Sequence, residues 1–127
     1  MPASVLIPVI AYPDVQAAAD WICAAFEFAV RLRIGDHRVQ LEREGASMVL
    51  RNAETAPDDA SRCKMMLRVE DVDQVAARVA ALGGIAQTPA NHKYGERQCS
   101  VLDPWGMAWL LSQTIADVPP EDWLKQE

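Results

Sequence analysis

The chain has 127 residues, half of them apolar, which is enough for one domain with its own core. A formal charge of −6 repels phosphate backbones and argues against nucleic acid as a partner. The early apolar run Val5 to Ile10 is too short to cross a bilayer and lacks a basic flank or cleavage site, so the expected location is the cytoplasm, with no membrane partner.

Val5 to Tyr12 is β-branched and apolar and predicts a strand, for which Pro8 argues an edge or interface position. Asp14 is positioned to cap a helix with an apolar stripe at Ala18, Ala19, Ile22, Ala25 and Phe26, flanked by Trp21. Phe28, Val30, Leu32 and Ile34 alternate with Arg31 and Arg33, predicting a half-buried strand. A turn at Gly35-Asp36-His37 leads to a strand at Val39 to Arg43. Glu44-Gly45 turns the chain into another, Ser47 to Arg51.

Residues 1–53 form a first repeat, and the polar, acidic run 54–61 is a linker. Residues 62–115 then write the same order again. Cys63 to Val69 is a strand. Asp71 caps a helix with Val72, Val75, Ala76, Val79 and Leu82 on one face, and Gly83-Gly84 ends it through a left-handed residue. Ile85 to Thr88 starts a strand and Pro89 to Tyr94 is a loop. Gln98 to Leu102 and Met107 to Leu111 then pair around Asp103-Pro104-Trp105-Gly106, since Asp-Pro opens a turn and Gly closes it. The acidic tail 116–127 carries Pro119-Pro120 and a short helix near Glu121 to Lys125, from which Trp123 packs back. The order strand, helix, three strands, written twice, predicts an α+β fold from an internal repeat.

Cys23, Cys63 and Cys99 are an odd number without zinc or redox spacing and read as small hydrophobes in a reducing compartment. A Cys99–His92 catalytic pair is the weaker reading beside a buried structural thiol.

Tyr94 to Leu111, with its Gly-Glu-Arg, strand, Asp-Pro-Trp-Gly and strand, resembles the glyoxalase / bleomycin-resistance / dioxygenase superfamily, also called vicinal oxygen chelate proteins. Asp14 to Phe28 is similar to that family's first helix, although Glu27 stands where the family has glycine and implies a differently shaped turn. Val69 to Asp73 and Ala81 to Gly84 are similar to its second-helix boundaries. The resemblance implies two βαβββ repeats forming a curved mixed sheet around a cleft.

It also implies where a divalent metal would sit. Three of the family's ligand positions fall on Ile7, Lys64 and Leu110, and the fourth lies within 47–52, where Asn52 has the best available donor. Zinc, iron and manganese need imidazole, thiolate or carboxylate donors, and a Lys ammonium repels the ion. His37 in a turn and His92 in a loop read as solvated. The expectation is therefore no metal, no cofactor and no catalytic residue of the family's metal-dependent kind.

If Ile7, Lys64 and Leu110 face the cleft, strand alternation sends Val9, Ala11, Met66, Arg68, Ala108 and Ser112 the same way. Met65, Leu67, Val69, Trp109 and Leu111 then face the helices. Met48 and Leu50 join the inward set, and Trp105 stands at its mouth, where stacking on a flat ligand would add about 0.5–1.5 kcal/mol. The expected ligand contacts are thus Ile7, Val9, Met48, Leu50, Lys64, Met66, Arg68, Trp105, Leu110 and Ser112. They form an apolar site with a few polar handles. The resemblance implies a metal-free homodimer that sequesters a hydrophobic or aromatic compound such as an antibiotic. One alternative is an enzyme of this fold with a nonstandard site, in which Lys64 serves as base or Schiff-base amine. The other is an interaction domain whose cleft is filled by its own side chains.

Overall fold

The computed structural model describes residues 4, 6–53, 63–119 and 121–122. Its contacts divide the chain into two units, Met1–Asp58 and Asp59–Glu127. Each unit pairs one helix with one mixed sheet.

In the first unit, β1 (Val9–Tyr12) runs into α1 (Val15–Phe26), followed by β2 (Ala29–Ile34), β3 (Arg38–Arg43) and β4 (Ala46–Asn52). The sheet order is β1-β4-β3-β2, with β1 parallel to β4 and the other pairs antiparallel. Pro8 precedes an edge strand, where its missing N–H costs no ladder bond, and its carbonyl accepts from Val49 N at 2.9 Å. Asp14 is extended and its Oδ1 accepts from Ala17 N at 3.1 Å, so α1 starts where the cap residue dictates. The helix buries Val15, Ala18, Ala19, Ile22, Ala25 and Phe26, and Tyr12, Val39, Leu41 and Leu50 fill the core with them. Trp21 lies half-exposed, edge-on to Phe26 at 5.5 Å.

α1 ends at Glu27 with φ 59° and ψ 36°, the left-handed backbone that glycine takes without strain. The turn therefore keeps the glycine-type geometry rather than a different shape. A side chain there costs about 1 kcal/mol.

The strand at 29–34 departs from simple alternation. A bulge between Val30 and Leu32 breaks the register, so Val30 pairs with Leu41 on the helix side while Leu32 pairs with Gln40 on the opposite face. The strand is exposed throughout instead of half-buried, because it is an edge and its apolar residues are split between faces.

In the second unit, β5 (Met65–Arg68) leads into α2 (Val72–Ala81) and then four strands. These are β6 (Ile85–Ala86), β7 (Ala90–Asn91), β8 (Glu96–Leu102) and β9 (Ala108–Thr114). The order is β5-β9-β8-β6, with β7 also on β8. The stretch 89–94, expected as loop, thus contains a short strand. Asp71 caps α2 by accepting from Gln74 N at 3.2 Å. Gly83, at φ 89°, closes the helix: Gly84 N donates to Val79 O and Gly83 N to Ala80 O, the paired bonds of a left-handed helix stop. Leu67, Val69, Val72, Val75, Val79, Trp109 and Leu111 make the core.

Cys99 is buried, Cys23 half-buried and Cys63 exposed, so the expectation that all three are packed among hydrophobes fails for Cys63, which precedes β5. Trp123 and the linker at 54–61 lie outside the described residues. Among those described, no helix is long and apolar enough to cross a membrane.

Candidate functional site

Each sheet has one face under its helix and one face without a helix. Register assigns the side chains, because directly paired residues point to the same side. In the second unit, Gln113 reaches α2, where its Oε1 accepts from Val72 N at 2.9 Å. Arg97 grips Asp73 on that helix at 2.8 Å. Odd-numbered residues of β8 and β9 therefore face α2. The even-numbered ones form the helix-free face: Met66 beside Leu110 and Ser100, and Arg68 beside Ser112 and Gln98. Met66 and Ile85 are the most open apolar groups there, at 66% and 65% exposure. Leu110 is half-buried, Lys64 and Arg68 are exposed, and Ser112 is buried.

Ser112 is buried because it belongs to a polar chain. Tyr94 Oη donates to Gln98 Oε1 at 2.8 Å, Gln98 Nε2 to Ser112 Oγ at 3.0 Å, and Ser112 Oγ to Glu96 Oε1 at 2.7 Å. The Ser112 hydroxyl, and behind it Thr114 and the Arg68 charge, hold the Glu96 carboxyl below the usual glutamate range. Glu96, Gln98 and Tyr94 were not among the residues expected from sequence. The signal was available: Glu96, Gln98 and Ser100 alternate with Arg97, Cys99 and Val101 at strand period.

In the first unit, Asn52 Oδ1 accepts from Val15 N at 3.3 Å, and Arg33 bonds Gln16 and Asp20 of α1. Asn52 and its face-mates Leu50 and Met48 are thus on the helix side. Leu50 is 0% and Met48 3% exposed. Both are core residues, which removes them from the expected ligand contacts. The physical reason is register: Leu50 pairs with Ile10 and Val39, and Met48 with Leu41, all on the helix side. The helix-free face instead carries Val9, Val49, Gln40 and Leu32 in one row and Ala11, Arg51, Arg38 and Ile34 in the next. Val9 is 52% exposed, and Ile7, one register step before it, is half-buried.

The metal positions implied by the family pattern can be completed by the internal repeat. Val49 pairs with Val9 as Leu110 pairs with Met66, so Val49 is the first unit's counterpart of Leu110. Asn52 is committed to the start of α1. Taken singly, the positions read Ile7 and Val49 in the first unit and Lys64 and Leu110 in the second, and none of these side chains is a transition-metal donor at neutral pH. Among the described residues no group of three His, Cys, Asp or Glu is arranged to hold one.

The Asp103–Gly106 turn is built by Asp103. Its Oδ1 accepts from Trp105 N at 3.0 Å and Met107 N at 2.9 Å, and its Oδ2 from Trp109 Nε1 at 3.3 Å. Asp103 is 3% exposed, a buried acid satisfied three times. Trp105 is half-buried in this turn. Gly95 is equally constrained: its φ is +89° and a Cβ there would overlap the Ala116 carbonyl. Cys99 donates to Gln87 O at 2.9 Å and its thiol is pushed up by burial, while His92 stacks on Tyr94 at 5.2 Å. These two residues do not form a thiol–imidazole pair.

Cavities lie in both units among the described residues. One of about 490 Å³ lies in the first unit, beside Glu27, Glu42, Glu44 and Ser47. The other, about 220 Å³, lies in the second unit. Lys64, Ile85, Ser100, Leu102, Ala108 and Trp109 line it.

This architecture is shared with solved structures. TioX from Micromonospora sp. ML1 is 26% identical, with a TM-score of 0.71 over 88% of this chain and 99% of that one. A bleomycin resistance determinant encoded on the transposon Tn5 is 16% identical, with a TM-score of 0.70 over 90% of this chain and 100% of that one. The fosfomycin resistance protein FosX from Mesorhizobium loti is 13% identical, with a TM-score of 0.72 over 98% and 99%. No functionally curated protein matches the chain in sequence. The family model described as Glyoxalase/Bleomycin resistance protein/Dioxygenase superfamily matches residues 5–111, and with the two units of one helix on one mixed sheet this places the chain in that superfamily.

Proposed function

We propose that this protein binds and sequesters a hydrophobic or aromatic small molecule, such as an antibiotic, without a metal ion, as a cytoplasmic homodimer. The observation that carries the reading is the side-chain set Ile7, Val49, Lys64 and Leu110 at the positions the superfamily uses for its metal. Hydrocarbon at three of four positions cannot supply the Lewis acid that lyase or dioxygenase chemistry in this family needs. In the first unit the helix-free face exposes Val9, Leu32 and Ile34, and in the second Met66 and Ile85, apolar groups of the kind that small-molecule sites use. Solved structures that share the fold include a bleomycin resistance determinant and a fosfomycin resistance protein, which supports a drug-related role.

A thermal-shift series against antibiotics, flat aromatic natural products and divalent metals tests this. A guest at about one hundred times its Kd stabilises the folded chain by about 2.7 kcal/mol, a rise of several degrees in Tm. Metals are expected to leave Tm unchanged, and light scattering to give twice the 14.0 kDa chain mass. A stoichiometric transition metal in the purified protein would sink the reading.

The Glu96–Ser112 pair favours a second reading, an enzyme of this fold with a nonstandard site. It stands second because a carboxylate held below its usual pKa is a poor proton acceptor near neutrality. Chemical turnover of a bound guest, lost in Glu96→Gln or Lys64→Gln, would reverse the order.

A further inference from the structure

The proposed sequestration leaves the charge of the guest open, and the distribution of ionic side chains narrows it. The chain is acidic overall, with 18 Asp and Glu against 12 Lys and Arg. On the helix side of the sheets, basic residues are matched: Arg33 pairs with Asp20 at 3.1 Å and Arg97 with Asp73 at 2.8 Å. The helix-free faces have the opposite balance. Arg38 and Arg51 share one face with Glu42, and the bulged Arg31 joins them through Gln40 at 2.7 Å. Arg68 shares the other face with Glu96, and Lys64 lies on the far side of Met66 from them.

Glu96 is already committed to Ser112, Thr114 and Arg68. Lys64 is different. Among the described residues nothing pairs with its ammonium, yet it lines the 220 Å³ cavity of the second unit. The rest of that cavity is apolar apart from Ser100 and Gln87. An exposed, unengaged ammonium at the rim of an apolar cavity gives a neutral guest nothing and gives an acid group a charge partner. A cationic guest would be repelled. Lys64 also stands at one of the superfamily's metal positions, so it puts one positive charge where relatives place an ion.

We propose that the guest is an amphiphilic anion. It has an aromatic or aliphatic body over Ile85, Leu102 and Ala108 and one acid group, carboxylate, sulfonate or phenolate, against Lys64 and the Ser100 hydroxyl. This rests on the sequestration reading and adds the sign of the ligand to it.

The test uses two dyes with the same fused-ring body. 8-Anilinonaphthalene-1-sulfonate is an anion and N-phenyl-1-naphthylamine is uncharged. Both gain emission in an apolar site. The expected result is that Lys64→Gln weakens the sulfonate by about tenfold and the uncharged dye by less than about twofold, Lys64→Arg restores the sulfonate, and Lys93→Gln, a loop control, changes neither. Raising salt should weaken the sulfonate selectively. If Lys64→Gln affects the two dyes alike, the anion proposal is overturned and hydrophobic sequestration survives. If neither dye gains emission with the wild-type chain, both are overturned.

Discussion

The two units start their helices with the same pair of devices. In the first, Asp14 caps Ala17 N and an amide from the last strand, Asn52, caps Val15 N. In the second, Asp71 caps Gln74 N and Gln113 caps Val72 N. Backbone donors that a helix start cannot satisfy itself are met the same way twice. The units differ elsewhere. One hairpin turns on Glu44-Gly45, the other on a buried aspartate. One helix stops on a glutamate, the other on a glycine. One helix-free face is rows of hydrocarbon and arginine, the other carries a hydrogen-bonded chain ending at Glu96. A duplicated frame thus fixes where side chains point, and the substitutions on it decide what each face can hold.

The largest expected break in the comparison is at the second hairpin. Asp103→Ala strips two backbone amides and the Trp109 indole of their acceptor and should cost about 3 kcal/mol in urea unfolding. Asp103→Asn, which keeps an acceptor oxygen, should cost less. The first unit has no buried acid at its hairpin, and Glu44→Gln there should be nearly silent. Gly95→Ala belongs to the same class of effect, about 3 kcal/mol, because both φ and the Ala116 carbonyl oppose a Cβ. An unchanged midpoint for both variants would mean that neither close approach exists in solution.

The shared caps predict equality. Asp14→Ala and Asp71→Ala should each lower stability by about 1 kcal/mol. A cap that matters in one unit and not in the other would break the symmetry of the frame.

The helix stops predict opposite signs. Glu27→Gly relieves a left-handed non-glycine residue and should raise stability by about 1 kcal/mol, while Gly83→Ala introduces the same strain and should lower it by a similar amount. Comparing the two Tm shifts reads the strain directly.

How much of this was legible depended on the local pattern. In the second unit, Lys64, Met66, Arg68, Leu110 and Ser112 fall on one face and Leu67, Val69, Trp109 and Leu111 on the other, as alternation alone predicts. In the first, Met48-Val49-Leu50 is an unbroken apolar run. Such a run has no phase of its own, so only pairing with β1 and β3 reveals that Val49 faces away from α1. Likewise Val30 to Ile34 alternates in sequence, but a bulge at Arg31 shifts the phase, and nothing in the residue types marks it. Asp103 was legible as a turn former, but not as the acceptor for Trp109, six residues along the chain. Glu96 was hidden inside a motif read for its glycine and arginine.

The smallest effect concerns that glutamate and is the finest probe of how the two faces differ. The Glu96 pKa is depressed in the folded chain, so ionised Glu96 stabilises the fold above the ordinary glutamate value. That contribution fades as pH falls through the depressed value. Ser112→Ala removes the largest cause and should move the Glu96 carboxyl titration, followed by NMR, upward toward the ordinary value. The acid-side loss of stability that Glu96 contributes should then shrink, because its folded and unfolded pKa values lie closer together. The register equivalent in the first unit is Arg51, which pairs with Ala11 as Ser112 pairs with Arg68. No carboxylate chain hangs from it, so Arg51→Ala should leave the acid limb of the stability curve in place. If the two substitutions shift that limb equally, the carboxylate chain is not what separates the faces, and their difference is only one of hydrocarbon.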